Sequence, residues 1–113
     1  MVMDAVPEFK LEIFLPSTHV DVLRAALAEA GAGRVGDYDH CCSVMNVRGY
    51  WRPLEGASPY QGRIGQIEAG EECKVEVNCP RERVRDVLEA VRRVHPYEEP
   101  VINVIPLANF LFE

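Results

Sequence analysis

The sequence is poor in the features that mark nucleic-acid-binding and membrane proteins. Its 113 residues carry 12 basic against 18 acidic side chains, a formal net charge of −6. Proteins that grip a phosphate backbone do so with clustered Lys and Arg, so we expect no nucleic-acid partner. No apolar run reaches the roughly 20 residues that a membrane span requires. We therefore expect no membrane partner either.

Cysteine-based frameworks are also lacking. The four cysteines include an adjacent pair, Cys41-Cys42, and two at strand-like spacing, Cys73 and Cys79, with no C-x-x-C motif. This distribution does not indicate a disulfide scaffold. Residues 1–7 have neither the basic start nor the apolar run of a signal peptide. We expect a cytoplasmic protein with reduced thiols, folded as a single domain over residues 1–113.

The first thirty residues combine a strand pattern with a helix pattern. Every second side chain over residues 9–15 is apolar, which predicts a half-buried strand that ends at a proline. Ser17 or Thr18 is the expected N-cap of a helix with one apolar stripe. Gly31 and Gly33 favour the left-handed backbone that ends such a helix.

The middle of the chain predicts a hairpin with a long connection. A second strand is expected over residues 41–51, although the apolar pattern leaves its facing ambiguous. Residues 51–64 are rich in Pro and Gly and predict a loop of the kind that often binds ligands. A third strand is expected from about residue 63, with a pause at Gly70 and a clear alternation over 72–79.

The last third predicts a second helix and a final strand. Pro80 suits a helix start, and the apolar residues that follow lie at helical spacing. Residues 101–107 are apolar at nearly every position, which is typical of a strand buried on both faces or held at a subunit contact. The order β-α-β-β-α-β predicts an α+β, ferredoxin-like sandwich, a four-stranded antiparallel sheet with both helices on one face. The bare face must be covered, so we expect a homo-oligomer.

A stiff elbow lies between the second helix and the last strand. Each of its two prolines fixes φ and pushes the preceding residue out of the α region. The stretch therefore stops the helix and starts the strand. It reads His95-Pro96-Tyr97-Glu98-Glu99-Pro100.

This elbow, followed by Ile105-Pro106-Leu107, resembles the signature of CutA proteins and, more closely, of the YqfO-type domain inserted in the Nif family. Matching stretches at 30–38, 50–60 and 62–65 extend the resemblance over nearly the whole chain. It implies a ferredoxin-like, CutA- or PII-like module that assembles as a homo-oligomer, a trimer as is typical of CutA or a dimer. It also implies a link to divalent-cation tolerance.

The same resemblance implies hydrolase activity as an alternative function, because full-length Nif-type members are dinuclear-metal proteins sometimes called type-two GTP cyclohydrolase I. The three histidines, at 19, 40 and 95, are too few to rebuild a dinuclear site in one chain. We disfavour an enzyme for this reason and assign no catalytic residue.

Two groups of residues could form a metal site or a proton-transfer pair. His40 and Cys41, joined by His95, offer imidazole and thiolate ligands for a divalent metal ion. Against this, the adjacent Cys41 and Cys42 on a strand point to opposite faces, and metal-ligand spacing is lacking. His95 with Glu98 or Glu99 could transfer protons, but a structural role is favoured because no nucleophile has sequence context beside it.

Two further segments could bind a small ligand. The glycines and Arg34 of residues 31–36, with Arg52, suit an anion, but this segment follows a helix and is more simply a C-cap and turn. The 51–64 loop could form a cleft wall or an interface. We expect the 34–42 loop, the 51–64 loop and the elbow to converge on one surface, within one chain or across an interface. The candidate ligand-binding residues are Arg34, Tyr38, Arg52, Glu55, His95, Tyr97 and Glu98.

Overall fold

The computed structural model describes residues 2–113, with side chains from residue 3 onward. Within this part of the chain the elements are β1 (Glu8–Leu15), α1 (Val20–Ala30), β2 (Ser43–Trp51), β3 (Glu68–Pro80), α2 (Val84–Val94) and β4 (Ile102–Pro106). Short 3₁₀ turns lie at Val2–Ala5, Ser17–His19, Arg81–Arg83 and Ala108–Phe112. None of the helices described has the length and apolar character needed to cross a membrane.

The sheet has the strand order β2-β3-β1-β4, and every neighbouring pair is antiparallel. The central strand β1 sets the register, with Leu11 opposite both Val77 of β3 and Val104 of β4. Both helices pack on one face. The ferredoxin-like arrangement predicted from the element order is confirmed.

The core forms where the alternating apolar residues of the strands pack against the apolar stripes of the helices. The inward side chains of β1 and β3 alternate with polar ones, as the sequence predicted, and contact the apolar stripes of α1 and α2. Leu23 and Val87 are each fully buried between helix and sheet. The core residues are Leu11, Ile13, Leu15, Leu23, Leu27, Ala32, Cys73, Val75, Val77, Cys79, Val87 and Val91.

The ends of α1 confirm one sequence prediction and correct another. Gly31 adopts φ 106° and its N–H donates to the Ala28 carbonyl, which is the left-handed helix end that the sequence predicted. The N-cap prediction was wrong, because Ser17 and Thr18 lie inside a 3₁₀ turn and no side chain caps the helix start. This 3₁₀ turn connects β1 to α1. It is closed by a backbone hydrogen bond, in which the His19 N–H donates to the Pro16 carbonyl.

The strands β3 and β4 also depart from the expectation. β3 begins at Glu68 and runs through Gly70 without a pause, paired with β2 along the whole of that strand. β4 is not buried on both faces in the single chain, since Val104 and Ile105 are 39% and 36% exposed. Its apolar run lies at a sheet edge, where a strand presents unpaired backbone groups.

The sheet face opposite the helices carries an ion network. Lys74 lies 3.2 Å from Glu76 and 3.8 Å from Glu12, and Lys10 lies 3.4 Å from Glu76. Hydrogen bonding to Lys74, with help from Lys10, lowers the pKa of Glu76. The open face is therefore polar at its centre and apolar only towards its edges.

Candidate functional site

The elbow, residues 95–100, is fastened to the end of β1 by the His95 imidazole. Its Nε2 lies 2.6 Å from the Phe14 carbonyl oxygen, and its Nδ1 lies 3.2 Å from the Tyr97 backbone N–H. A carbonyl only accepts and an N–H only donates, so Nε2 must carry the proton and Nδ1 must accept. Two hydrogen bonds thus assign the neutral Nε2–H tautomer.

The electrostatics of His95 agree with this assignment. Burial lowers the pKa of His95, the nearby His19 lowers it further, and the Phe14 carbonyl opposes both. Protonation would place a second N–H on Nδ1, facing the N–H of Tyr97. The neutral imidazole therefore joins the elbow to β1, an arrangement that we call the His95 clip. The backbone of the same residue ends α2, because the His95 N–H donates to the Val91 carbonyl.

The β2–β3 loop, residues 52–67, folds over the elbow. The Ser58 backbone N–H donates to Glu98 Oε1 at 2.9 Å, and the Tyr60 and Tyr97 rings lie 5.7 Å apart between centroids. The loop closes on itself as well, because the Gly65 N–H donates to the Pro53 carbonyl at 2.7 Å. Loop and elbow therefore form the two sides of one cleft.

The cleft has a volume of about 590 Å³, within the range typical of small-molecule sites. Its walls are mostly aromatic and aliphatic, and its charged groups are three glutamates and one arginine. The lining residues are Phe14, Tyr50, Trp51, Arg52, Pro53, Leu54, Ala57, Pro59, Tyr60, Gln61, Glu72, Tyr97, Glu98, Glu99 and Val101.

Two glycines on the open sheet face shape the floor of the cleft. A Cβ at Gly70 would lie 3.4 Å from the Trp51 ring, and a Cβ at Gly49 would overlap Glu72 Oε2. The paired glycines therefore leave the space that the indole and the carboxylate occupy. Trp51 is fixed further by its Nε1–H, which donates to the Gln61 carbonyl at 3.0 Å.

Glu72 and Tyr97 perturb one another at this floor. Burial raises the pKa of Glu72, and hydrogen bonding to Tyr97 partly offsets that rise. Burial, the Glu72 charge and Tyr60 together raise the pKa of Tyr97 to about 12. The phenol therefore stays protonated near neutral pH.

The candidate ligand residues separate into two groups. Arg52, Tyr97 and Glu98 line the cleft, and His95 fastens the elbow behind it. Glu55 belongs to the same loop but is exposed and does not line the cleft. Three of the seven candidates therefore reach the cleft itself, and a fourth supports it.

Arg34 and Tyr38 lie at the opposite end of the sheet. The Gly33 N–H donates to the Asn78 carbonyl, and Asn78 pairs with Lys10 near the start of β1, whereas His95 binds Phe14 near its end. The expected convergence of the 34–42 loop with the elbow is therefore wrong within one chain. In this topology the α1–β2 loop and the α2–β4 loop leave opposite ends of the sheet.

The same separation breaks up the predicted metal set. His40 and Cys41 lie at the Arg34 end, where His40 Nδ1 is 2.9 Å from Asp39 and the Cys41 thiol donates to the Asp39 carbonyl. His95 lies at the other end. Among the residues described, no group of three or more His, Cys, Asp or Glu side chains could hold a metal ion.

Sequence reasoning missed Glu72, Phe14 and Val101 as cleft residues. Each lies on or beside a strand and carries no motif. Glu72 reaches the cleft only because the two facing glycines leave room, so the Gly49 and Gly70 spacing was the available signal.

A family model described as CutA1 divalent ion tolerance protein matches residues 57–111, from the β2–β3 loop through the elbow and β4. The chain is a CutA-like domain. The match covers the part of the cleft that contains Tyr60, Glu72 and Tyr97. It also covers the whole elbow, the stretch on which the resemblance to CutA and Nif-type proteins rested.

Curated relatives share this domain inside longer chains. A GTP cyclohydrolase 1 type 2 homolog of Halalkalibacterium halodurans is 41% identical over 101 residues, covering 89% of this chain and 27% of the relative. The homolog of Mycobacterium leprae is 44% identical over 98 residues, 87% of this chain and 26% of the relative. The CutA-like domain described here spans about a quarter of the length of these relatives.

Solved structures agree on the fold. A Bacillus cereus protein related to NIF3 is 38% identical with a TM-score of 0.81, over 91% of this chain and 26% of that one. The periplasmic divalent cation tolerance protein CutA from Archaeoglobus fulgidus is 23% identical with a TM-score of 0.66, over 93% and 92% of the two chains. A PII-like protein CutA from Nostoc is 16% identical with a TM-score of 0.68, over 91% and 84%. The two CutA structures show the shared fold.

Proposed function

We propose that this CutA-like domain is a non-enzymatic, PII-like regulatory module of the cytoplasm that binds a small ligand in the cleft between the β2–β3 loop and the elbow. The observation that carries the proposal is the cleft of about 590 Å³ with rigid aromatic walls. Both of its sides are fastened, by the His95 clip and by the Ser58–Glu98 hydrogen bond. A preformed apolar cleft with a few placed polar groups is the usual form of a small-molecule site.

Binding rather than turnover is favoured by the lining. Among the described residues, no Ser, Cys or His side chain lines the cleft, so the Ser–His and Cys–His pairs of nucleophilic catalysis are not placed there. The cyclohydrolase name belongs to relatives of which this chain spans about a quarter. We therefore do not extend that activity to this domain.

The single tryptophan makes the binding proposal directly testable. Trp51 gives one indole N–H signal in a two-dimensional NMR spectrum. In a panel of metabolites, nucleotides and apolar fragments, we expect a ligand to shift the Trp51 indole and the Tyr97 amide while leaving the Cys41 amide unchanged. A panel that shifts no cleft resonance, or shifts only the Cys41 end, would contradict the proposal.

We also propose that the domain assembles as a homo-oligomer, a trimer or a dimer. Support comes from β4, whose apolar edge is exposed in the single chain, and from the C-terminal Leu111 and Phe112, which are 56% and 86% exposed. Large apolar side chains exposed at a strand edge and in the C-terminal turn offer surface that a second copy of the chain could cover. Light scattering coupled to gel filtration checks the assembly, and a clean monomer at every concentration would refute it.

A second candidate function is binding or tolerance of a divalent metal ion. The CutA1 family description favours it, whereas the described residues include no group of three or more His, Cys, Asp or Glu side chains that could hold the ion within one chain. Metal analysis of untagged protein, with thermal shifts on adding copper, zinc or magnesium, tests it. Absence of both stoichiometric metal and a thermal shift would remove this candidate.

A further inference from the structure

The charged groups that line the cleft favour a ligand of positive charge. Three carboxylates, from Glu72, Glu98 and Glu99, line it against the single guanidinium of Arg52. In the described part of the chain, the ion pairs do not include Glu72. A phosphate or carboxylate ligand would therefore meet like charge, whereas a cation would find an unneutralised carboxylate at the floor.

The aromatic walls favour the same sign. Trp51, Tyr60 and Tyr97 line the same cleft as Glu72, and the Tyr60 and Tyr97 rings are tilted by 52° to one another rather than stacked flat. The faces of such rings carry negative quadrupole charge and attract ammonium and guanidinium groups. The rings are also held in place, Trp51 by its hydrogen bond to Gln61 and Tyr97 by its contact with the His95 ring at 4.9 Å.

The position of Glu72 is built into the sheet. Its carboxylate lies over Gly49, where any side chain would displace it, and it interacts with the Tyr97 phenol. The carboxyl is partly buried, and this loss of solvation raises its pKa. A cationic ligand would replace the missing solvation.

We propose that the cleft selects a small organic cation, an ammonium or amidinium group on an apolar body, with Glu72 as counter-ion and Trp51, Tyr60 and Tyr97 as the aromatic cage. This inference rests on the proposed function, because it names the ligand class for the same cleft. The volume admits a body of several carbon atoms beside the charged group.

Three probes with one aromatic body and different charges test it. The cation 2-phenylethylammonium, the neutral 2-phenylethanol and the anion phenylacetate are each titrated into the full chain. Trp51 fluorescence and calorimetry report binding. We expect the cation to bind about tenfold more tightly than the alcohol, and the anion to bind more weakly than both. The preference for the cation should fall as salt is added.

Two matched variants assign the effect to Glu72. Glu72→Gln keeps the shape and removes the charge, so the affinity for the cation should fall about tenfold while that for the alcohol stays unchanged. Glu71→Gln removes the same charge one residue away, where the side chain pairs with Arg48 at 3.1 Å and does not line the cleft. This control should keep the full preference for the cation.

The outcomes separate the two proposals. Equal affinity for all three probes, tighter binding of phenylacetate, or an unchanged preference in Glu72→Gln would overturn the cation proposal and leave a small-ligand cleft standing. Absence of binding by all three at millimolar concentration would also overturn the cation proposal. In that case the NMR panel described above decides the proposed function independently.

Discussion

Replacing His95 with alanine tests whether the imidazole fastens the elbow to β1. The change removes two hydrogen bonds, one at 2.6 Å to the Phe14 carbonyl and one at 3.2 Å from the Tyr97 N–H. At about 1 kcal/mol for each net hydrogen bond, the loss is about 2 kcal/mol. For a chain of this size that corresponds to a fall in Tm of about 8 °C.

The dependence on pH carries a second, independent signature. Burial lowers the pKa of His95 in the folded chain, whereas an unfolded histidine titrates near 6.5. Below about pH 6.5 the unfolded chain therefore binds more protons than the folded chain, and stability falls as the pH falls. Above that range the contribution is fully present. The His95→Ala protein lacks it, so its stability should decrease less on acidification.

The raised pKa of Glu72 acts in the opposite direction but is common to both proteins. Taking the difference between the parent and His95→Ala removes this contribution, because the carboxyl is present in each. The comparison therefore isolates the histidine.

Urea unfolding near pH 7.5 and near pH 5, at one fixed protomer concentration, measures both signatures. The control is His40→Asn. His40 is exposed with φ 58°, a backbone conformation that Asn tolerates, so this variant should stay within about 0.5 kcal/mol of the parent near pH 7.5. A His95→Ala protein as stable as the parent, or with the same dependence on pH, would refute the clip.

Three further predictions concern the scaffold. Leu23→Ala empties a fully buried site between α1 and the sheet and should cost about 3 kcal/mol in urea unfolding; a loss below about 1 kcal/mol would contradict the packing. Gly33→Ala should lower the free energy of unfolding by about 1 kcal/mol or more beyond the effect of Gly36→Ala. Both residues have positive φ, but only at Gly33 would the new Cβ lie 2.9 Å from the Cys41 carbonyl oxygen. Equal effects of the two substitutions would show that the loop moves aside. Burial raises the pKa of the Cys79 thiol to about 11, so it should resist a thiol reagent at neutral pH until the chain unfolds, whereas the partly exposed Cys41 reacts in the native state; labelling followed by mass spectrometry decides this, and prompt labelling of Cys79 would refute it.

Local patterns in the sequence determined most of the fold. Alternation over β1 and the second half of β3, helical stripes in α1 and α2, and the left-handed end at Gly31 each depend on near neighbours and were predicted correctly. The order of these elements then specified the topology, because few connections are compatible with two strand–helix–strand units. The elbow was recognisable for the same reason, since two prolines restrict the backbone wherever they stand.

The sequence also determined which segments form the candidate site, but not how they meet. The β2–β3 loop was identified by its Pro and Gly content and the elbow by its motif. Their contact through Ser58 and Glu98 joins residues 40 positions apart, which no local pattern encodes. The 34–42 loop looked equally suited to binding, and only the direction of the chain through the sheet separated it from the other two.

Tertiary structure alone decided the roles of the individual side chains. His95 became a neutral clip because the Phe14 carbonyl happens to lie 2.6 Å from its Nε2. Glu72 became the floor of the cleft because its side chain lies over Gly49, which pairs with Gly70 on the neighbouring strand and leaves the carboxylate room. Charge, burial and hydrogen-bond partners are set by neighbours distant in sequence, whereas periodicity and backbone restriction are set by neighbours in sequence. Local sequence patterns therefore specify the fold, whereas the chemistry of the site depends on contacts that form only in the folded chain.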